Sequence, residues 1–484
     1  MSTSSHSAGS PVICWFRQDL RLADNPALLA ATQSSAPVIC LYVLDDKTPG
    51  KWARGGASRW WLHHSLAALS ASLEELGARL ILRRGDAFEI VTGLASELGA
   101  QRVFWNRCYE PFARERDAGI KTQLKKAGCE VETFNGALLI EPWNLKTKDG
   151  GPFRVYSPYF RALAPHCDDI APLPAPSSVT DGSQGVRSDA LSSWTLLPSS
   201  PDWATGFGPV WTPGEGGAWA RLETFCEDAA GDYADTRNLP GTEGTSRLSP
   251  HLHFGEISPR QIWHHAVSHV PAGKGRETFL KEIGWREFSY NLLFHFDDLP
   301  ESNYQPKFNG FPWNFDETVF QYWTRGQTGY PIVDAGMRQL WQTGWMHNRV
   351  RMILASFLTK HLLIDWRRGE EWFWDTLVDA DLANNAASWQ WVAGSGADAA
   401  PYFRIFNPVT QGEKFDEAGH YVREWVPELT NLPDKYIHAP WTAPSEVLAR
   451  AGIALGRDYP KPIVDHALAR ERALAAFSSL KDAA

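Results

Sequence analysis

Five short apolar runs, at residues 12–15, 38–43, 79–82, 103–105 and 131–134, alternate with stretches of helical period at the start of this chain. Strands separated by whole helices cannot pair as hairpins; they need crossover connections, so the pattern predicts a doubly wound, Rossmann-like parallel sheet. Between the runs, Asn25 before Pro26 reads as a helix N-cap with proline in the first turn. Trp61, Leu62, Leu66, Leu69 and Leu73 form one apolar stripe in the next helix. No GxGxxG follows the first run and no Walker A sequence occurs, so no ordinary dinucleotide or triphosphate loop is signalled. From about residue 171 to 217 the composition shifts to Pro, Ser and Gly, which is linker chemistry. Beyond it, helix-period runs such as 261–270 and 330–343 replace strand alternation. The reading is an α/β domain over 11–137, a connector over 138–217 and an all-helical domain over 218–480, without internal repeats.

Composition narrows the function classes. A net charge of −9 argues against indiscriminate nucleic-acid binding, although Arg349, Arg351, Arg404 and Lys414 leave room for a local basic face. The six cysteines carry no CxxC or metal-ligand spacing, the polar start at residues 1–7 reads as a disordered lead, and no apolar run approaches the ~20 residues that span a bilayer. A soluble cytoplasmic protein without disulfides or metal is expected. The unusual count is 23 Trp against 4 Met, since indoles stack on flat rings and carry electrons as well as filling space.

Four segments carry chemistry. Within residues 379–391, Asp379, Asp381, Asn384, Asn385, Trp389 and Trp391 interrupt an apolar helix, and Asp381, Asn385 and Trp389 share one face at i, i+4 and i+8. That face could grip a polar aromatic ligand; the same residues also suit a capped helix with packed core indoles. Thr245, Ser246, Arg247, Leu248 and Ser249 precede Pro250, a pattern that suits a phosphate cradle but is by itself weak, since a plain Ser N-cap with Pro at N1 is common. Glu282, Trp285, Arg286 and Phe288 form a mixed stripe. His347, Asn348, Arg349 and Arg351 lie between Met346 and Met352, and Arg351 is a natural partner for Asp379.

At these residues the chain resembles the DNA photolyases and cryptochromes, most closely the cyclobutane pyrimidine dimer photolyases of the class I type. The likeness runs from Trp15-Phe-Arg-Gln-Asp-Leu-Arg-Leu to the end of the helical domain and is densest from Thr328 to Asp416. It implies that the α/β domain serves as an antenna domain and that the helical domain holds FAD, active as FADH⁻. Tyr233 and residues 245–249 would hold the phosphate and ribityl part, Trp285 and Arg286 the adenine side, and Asn348, Arg351, Asp379 and Asp381 the flavin, with Asn385 facing its N5. Trp389, Trp366 and Trp313 would form an electron-hopping chain. Trp285 and Trp391 would wall a flipped-out dimer, contacted by Glu282, Asn348, Arg349 and Met352, while Arg237, Arg404 and Gln411 would face the DNA backbone.

The implied activity is light-driven repair of UV-damaged DNA by a monomer, without a metal. Excited reduced FAD would pass an electron to the pyrimidine dimer, split it and recover the electron. His347 beside Asn348, where (6-4) enzymes place a His pair, and the Met352 ending favour cyclobutane dimers. The antenna chromophore is expected to be methenyltetrahydrofolate, with 8-hydroxy-deazaflavin as the alternative and Glu110 as a candidate contact. A cryptochrome-type blue-light photoreceptor is the rival reading, and the chain's end at Ala484 leaves little room for a signalling tail.

Overall fold

The computed structural model describes residues 10–167, 171–398 and 403–482. The polar lead at residues 1–7 lies outside them. Five strands, β1 (Val12–Phe16), β2 (Val38–Leu44), β3 (Leu80–Arg84), β4 (Arg102–Asn106) and β5 (Glu130–Phe134), form one parallel sheet in the order β3-β2-β1-β4-β5. Every residue of β1 and β2 is buried, as expected of central strands covered on both faces, whereas the edge strand β5 alternates exposed and half-buried residues. Helices α1 (Pro26–Gln33), α2 (Gly56–Glu75), α3 (Ala87–Glu97) and α4 (Pro111–Lys126) make the crossovers. Asn25 caps α1 through Leu28 N with Pro26 behind it, as the sequence predicts. The α2 stripe from Trp61 to Leu73 is buried as expected.

The connector carries α5 (Tyr156–Leu163), which packs on the helical half. That half begins with α6 (Glu215–Asp228), α7 (Tyr233–Thr236), α8 (Ser249–Phe254) and α9 (Pro259–His269). It continues through the long α10 (Lys274–His295), α11 (Glu317–Thr324) and α12 (Pro331–Thr343) to α13 (Asn348–Ser356), α14 (Trp366–Thr376) and α15 (Leu382–Ala393). Shorter helices and a final one, His466–Asp482, close the fold.

The two halves are locked where α8 meets the C-terminal ends of the central strands. Trp61 donates its indole N–H to buried Glu256 at 3.0 Å, and Arg260 pairs with buried Asp24 at 3.0 Å. Gly255, at φ +66°, brings its backbone so close to β1's loop that a Cβ would lie 2.0 Å from the Gln18 carbonyl oxygen. Only glycine satisfies both the left-handed conformation and that approach. Among the described residues, no helix is long and apolar enough to cross a membrane and no three His, Cys, Asp or Glu side chains gather as a metal site. All six cysteines are free.

Candidate flavin and lesion cavity

A cavity of about 560 Å³ opens between α7, α8, α10, α13 and α15. It is lined by Tyr233, Arg237, all of residues 245–249, Glu282, Trp285, Arg286, Asn348, Arg349, Arg351, Met352, Asp379, Asp381, Asn385, Trp389 and Trp391. Segments more than a hundred residues apart in the chain therefore meet around one space, as the resemblance implies. Trp313, Trp366, Arg404 and Gln411 lie outside it.

The cavity floor is built from two carboxylates with different partners. Arg351 grips Asp379 with both terminal nitrogens, at 3.1 and 2.9 Å, and Ser249 donates to the same carboxylate at 2.6 Å. Planar two-point pairing of this kind fixes orientation as well as charge. The Ser249 hydroxyl is thereby committed to Asp379 and does not cap α8, whose N-cap Leu248 makes no side-chain bond. Asp381 is the N-cap of α15, accepting from Asn384 N at 2.9 Å, and it also accepts from the hydroxyl of Tyr290 at 2.5 Å. His253 reaches it at 3.4 Å, while its other ring nitrogen lies 3.2 Å from Arg54. Arginine can only donate, so the His253 proton sits on Nδ1 and faces Asp381. Burial opposes the Asp381 charge, but the His253 contact, the Arg286 charge and the Tyr290 bond hold it well below the usual carboxylate range.

Asn385 donates its amide N–H to the Glu370 carbonyl at 3.0 Å, which leaves its carbonyl oxygen to serve the cavity. The Arg286 guanidinium donates to the Ala137 carbonyl, 2.9 Å, and to Glu287, 3.2 Å, so it anchors the end of the α/β domain. At the mouth, Arg237 pairs with Glu282. Burial pushes the Glu282 carboxyl up against the pull of that arginine. Arg349 bonds Asn238 at 2.7 Å, and its pKa is lowered first by burial and then by the charges of Arg237 and Arg404. Three guanidiniums thus gather on a rim, which suits phosphate contacts.

The tryptophans divide into two files. Trp389 packs on α14, where a Cβ on Gly369 would lie 2.1 Å from its ring; fully buried Trp366 opens the same helix, and its N–H is held by Asn303 at 2.9 Å. Trp313 is half-buried against Phe311, 4.3 Å between ring centroids. Sequence reasoning misses the second file. Trp389 meets Trp323 at 6.4 Å, Phe320 bridges Trp323 to Trp372 at 5.8 and 6.4 Å, and Trp372 stacks on Trp341 at 6.3 Å. Trp341 is 51% exposed, so this file reaches solvent.

Glu370 is also missed. It is fully buried on α14, and neither carboxylate oxygen has a hydrogen-bond partner among the described residues. Burial pushes its carboxyl well above the usual range, so it is a neutral acid beside Asn385. An acid that keeps its proton in the fold, but releases it near the ordinary 4.5 when unfolded, stabilises fully below that value and loses the contribution as pH rises. Glu370→Gln, with the same shape and no such proton, is expected to melt with the parent near pH 4 and about 2–4 °C above it, per kcal/mol relieved, near pH 8. Parallel melting curves across that range would show that Glu370 is ionised in the fold.

The cavity fits a flavin dinucleotide on its own chemistry. The buried N–H groups Arg247 Nε and Trp389 Nε1, on residues that line the cavity, have no acceptor among the described residues, and neither has Nε2 of His347, between the lining residues Met346 and Asn348. His347 Nδ1 accepts from Arg349 N at 3.2 Å, and burial with the flanking arginines pushes its pKa down to about 3, so Nε2 carries the proton. Spare donors, an Arg–carboxylate pair and a free amide oxygen together match a ligand with phosphate oxygens and ring nitrogens.

Two family models match the chain, one for DNA photolyase over residues 12–177 and one for the FAD binding domain of DNA photolyase over residues 279–479. A deoxyribodipyrimidine photo-lyase from Agrobacterium fabrum is 56% identical over 474 residues, 98% of either chain. Cryptochrome-1 of Arabidopsis thaliana is 40% identical over 97% of this chain and 70% of its own length. The crystal structure of a bacterial class III photolyase from Agrobacterium tumefaciens matches with a TM-score of 0.96 at 56% identity, covering 100% of both chains. The sequence motifs point to the class I type, whereas this neighbour is described as class III.

Proposed function

This chain belongs to the DNA photolyase family, and on that footing we propose that it is a light-driven DNA repair enzyme, a deoxyribodipyrimidine photo-lyase of the class III type. FAD is its cofactor, and the substrate is DNA carrying cyclobutane pyrimidine dimers. The observation that carries the reading is a single cavity that joins the Arg351–Asp379 pair and Asn385 to two lining indoles, Trp285 and Trp391, at a basic mouth. When bound and reduced, the flavin supplies one electron on excitation and takes it back once the dimer has split.

The protein's own contribution is binding and orientation. Asp379, Asp381 and Asn385 would hold the flavin ring by its polar edge, and the Asn385 oxygen would accept a hydrogen bond from a ring N–H. Trp285 and Trp391 replace the stacking that a pyrimidine pair loses when it leaves the duplex, an extrusion that photolyases and glycosylases are known to use. Glu282, kept in place by Arg237 and pushed toward its protonated form by burial, offers a hydrogen bond to the dimer's polar edge. Arg237, Arg349 and Arg404 contact phosphates, which positions the DNA without reading sequence. In the α/β domain, Glu110 accepts from Gln18 at 2.8 Å and is a candidate contact for a methenyltetrahydrofolate antenna; 8-hydroxy-deazaflavin is the alternative. The enzyme acts as a cytoplasmic monomer in this reading.

Under near-UV or blue light, the reduced protein is expected to remove dimers from UV-irradiated oligothymidine, measured by chromatography of the digested DNA. Dimers that persist while the flavin photoreduces normally would make the protein a photosensor.

A further inference from the structure

The closest ring pair among the described residues is not inside the cavity but behind its wall. Tyr156, the first residue of α5, lies flat on Trp285 with centroids 3.7 Å apart and planes 9° from parallel. Its hydroxyl donates to the Lys281 carbonyl at 2.5 Å, one turn before Trp285 on α10. There is room for this approach because α10 has glycine at 284: a Cβ there would sit 2.4 Å from Phe160 and 3.0 Å from the Tyr156 oxygen. The indole therefore presents one face to the cavity and is clamped on the other.

The same residue reaches the opposite wall through its backbone. Tyr156 N–H donates to Asp398 at 3.1 Å, and Asp398 lines the cavity on the segment that follows α15 and Trp391. That segment has little freedom of its own. Gly396 N bonds the Gln390 carbonyl at 3.0 Å, the Gly396 carbonyl accepts from Gln305 at 2.9 Å, and a Cβ at Gly396 would meet Trp391 N at 2.9 Å. One residue of the connector thus bears on Trp285 with its ring and on the Trp391 segment with its amide.

We propose that Tyr156 is a positioning residue that sets the spacing between Trp285 and Trp391 and so determines how well the pocket separates a flipped pyrimidine dimer from undamaged bases. The proposal rests on the reading of those indoles as the lesion walls. A slot between two aromatic planes discriminates by thickness and tilt, and either is lost when one plane can rotate. Phenylalanine at 156 keeps the ring and drops only the hydroxyl; leucine removes the plane.

The test is dark binding by the FAD-loaded enzyme of an oligothymidine bearing one cyclobutane dimer and of the same oligomer undamaged, followed by fluorescence polarisation. Tyr156→Leu is expected to weaken dimer binding about five- to tenfold, the scale of one lost aromatic pair. Undamaged DNA binding and flavin photoreduction should hold, and Tyr156→Phe should restore discrimination. Asp398→Ala, which leaves the ring stack untouched, should reduce the ratio in the same direction and keeps the idea testable if Tyr156→Leu does not fold. A ratio unchanged in Tyr156→Leu while Trp285→Leu lowers it overturns the role of Tyr156 alone. Equal loss for both DNAs also overturns it, as a merely structural effect. A ratio unchanged in Trp285→Leu overturns the pocket reading and the proposal with it.

Discussion

Asp379→Ala protein is expected to purify colourless. The Asp379 carboxylate, 3% exposed, is held by both terminal nitrogens of Arg351 and by Ser249. Removing it strands a guanidinium and a hydroxyl at the cavity floor, and breaking a buried ion pair from one side costs about 3–5 kcal/mol. Since each 1.4 kcal/mol is a factor of ten, cofactor affinity should fall by roughly two to three orders of magnitude. The reading comes from the flavin-to-protein absorbance ratio of purified enzyme and from titration of the apoprotein with FAD. Asp379→Asn keeps the shape and one acceptor oxygen but turns the other position into a donor NH2 and carries no charge, so an intermediate occupancy is expected. Full occupancy in the alanine variant would move the flavin away from this pair.

What sequence makes legible here is what local spacing determines. Asn25 and Pro26 announce α1, the apolar runs announce the parallel strands, and Asp381, Asn385 and Trp389 fall on one face because a helix repeats every 3.6 residues. The family likeness then brings α8, α10, α13 and α15 around one cavity. Residues whose role depends on which surface meets which remain hidden. Tyr156 lies in the stretch assigned to the connector, yet its ring centroid is 3.7 Å from that of Trp285. Glu370 sits in Arg-Arg-Gly-Glu-Glu, which reads as a charged surface helix, and only the packing of α14 against α2 and α15 shows that its carboxyl is dry. Ser249 looks like an N-cap in sequence, but tertiary contact gives its hydroxyl a stronger partner in Asp379. Trp323, Trp372 and Trp341 come from α11, α14 and α12, and no spacing rule connects residues on three helices.

That second indole file decides the other large effect. The ring contacts of this file start from Trp389 at the cavity, and in the proposed reading the route through Trp366 and Trp313 starts there too. A phenyl ring is far harder to oxidise than an indole, so a hole on the second file has to cross from Trp323 to Trp372 past Phe320 without residing on it, and every ~1.4 kcal/mol added to a barrier slows a step tenfold. Trp389→Phe closes both routes at their shared origin, so photoreduction with a thiol reductant in the medium should be nearly lost, well beyond a tenfold drop. Trp366→Phe closes one route and should slow photoreduction only in part, with the Trp366→Phe, Trp341→Phe pair approaching the Trp389 variant. The measurement is the initial loss of oxidised-flavin absorbance under blue light. Repair by chemically pre-reduced Trp366→Phe enzyme should stay close to the parent, because Trp366 lies outside the cavity and touches neither flavin nor lesion. If Trp366→Phe alone is as inactive in photoreduction as Trp389→Phe, the file through Trp323 carries no current, and its ring contacts serve packing alone.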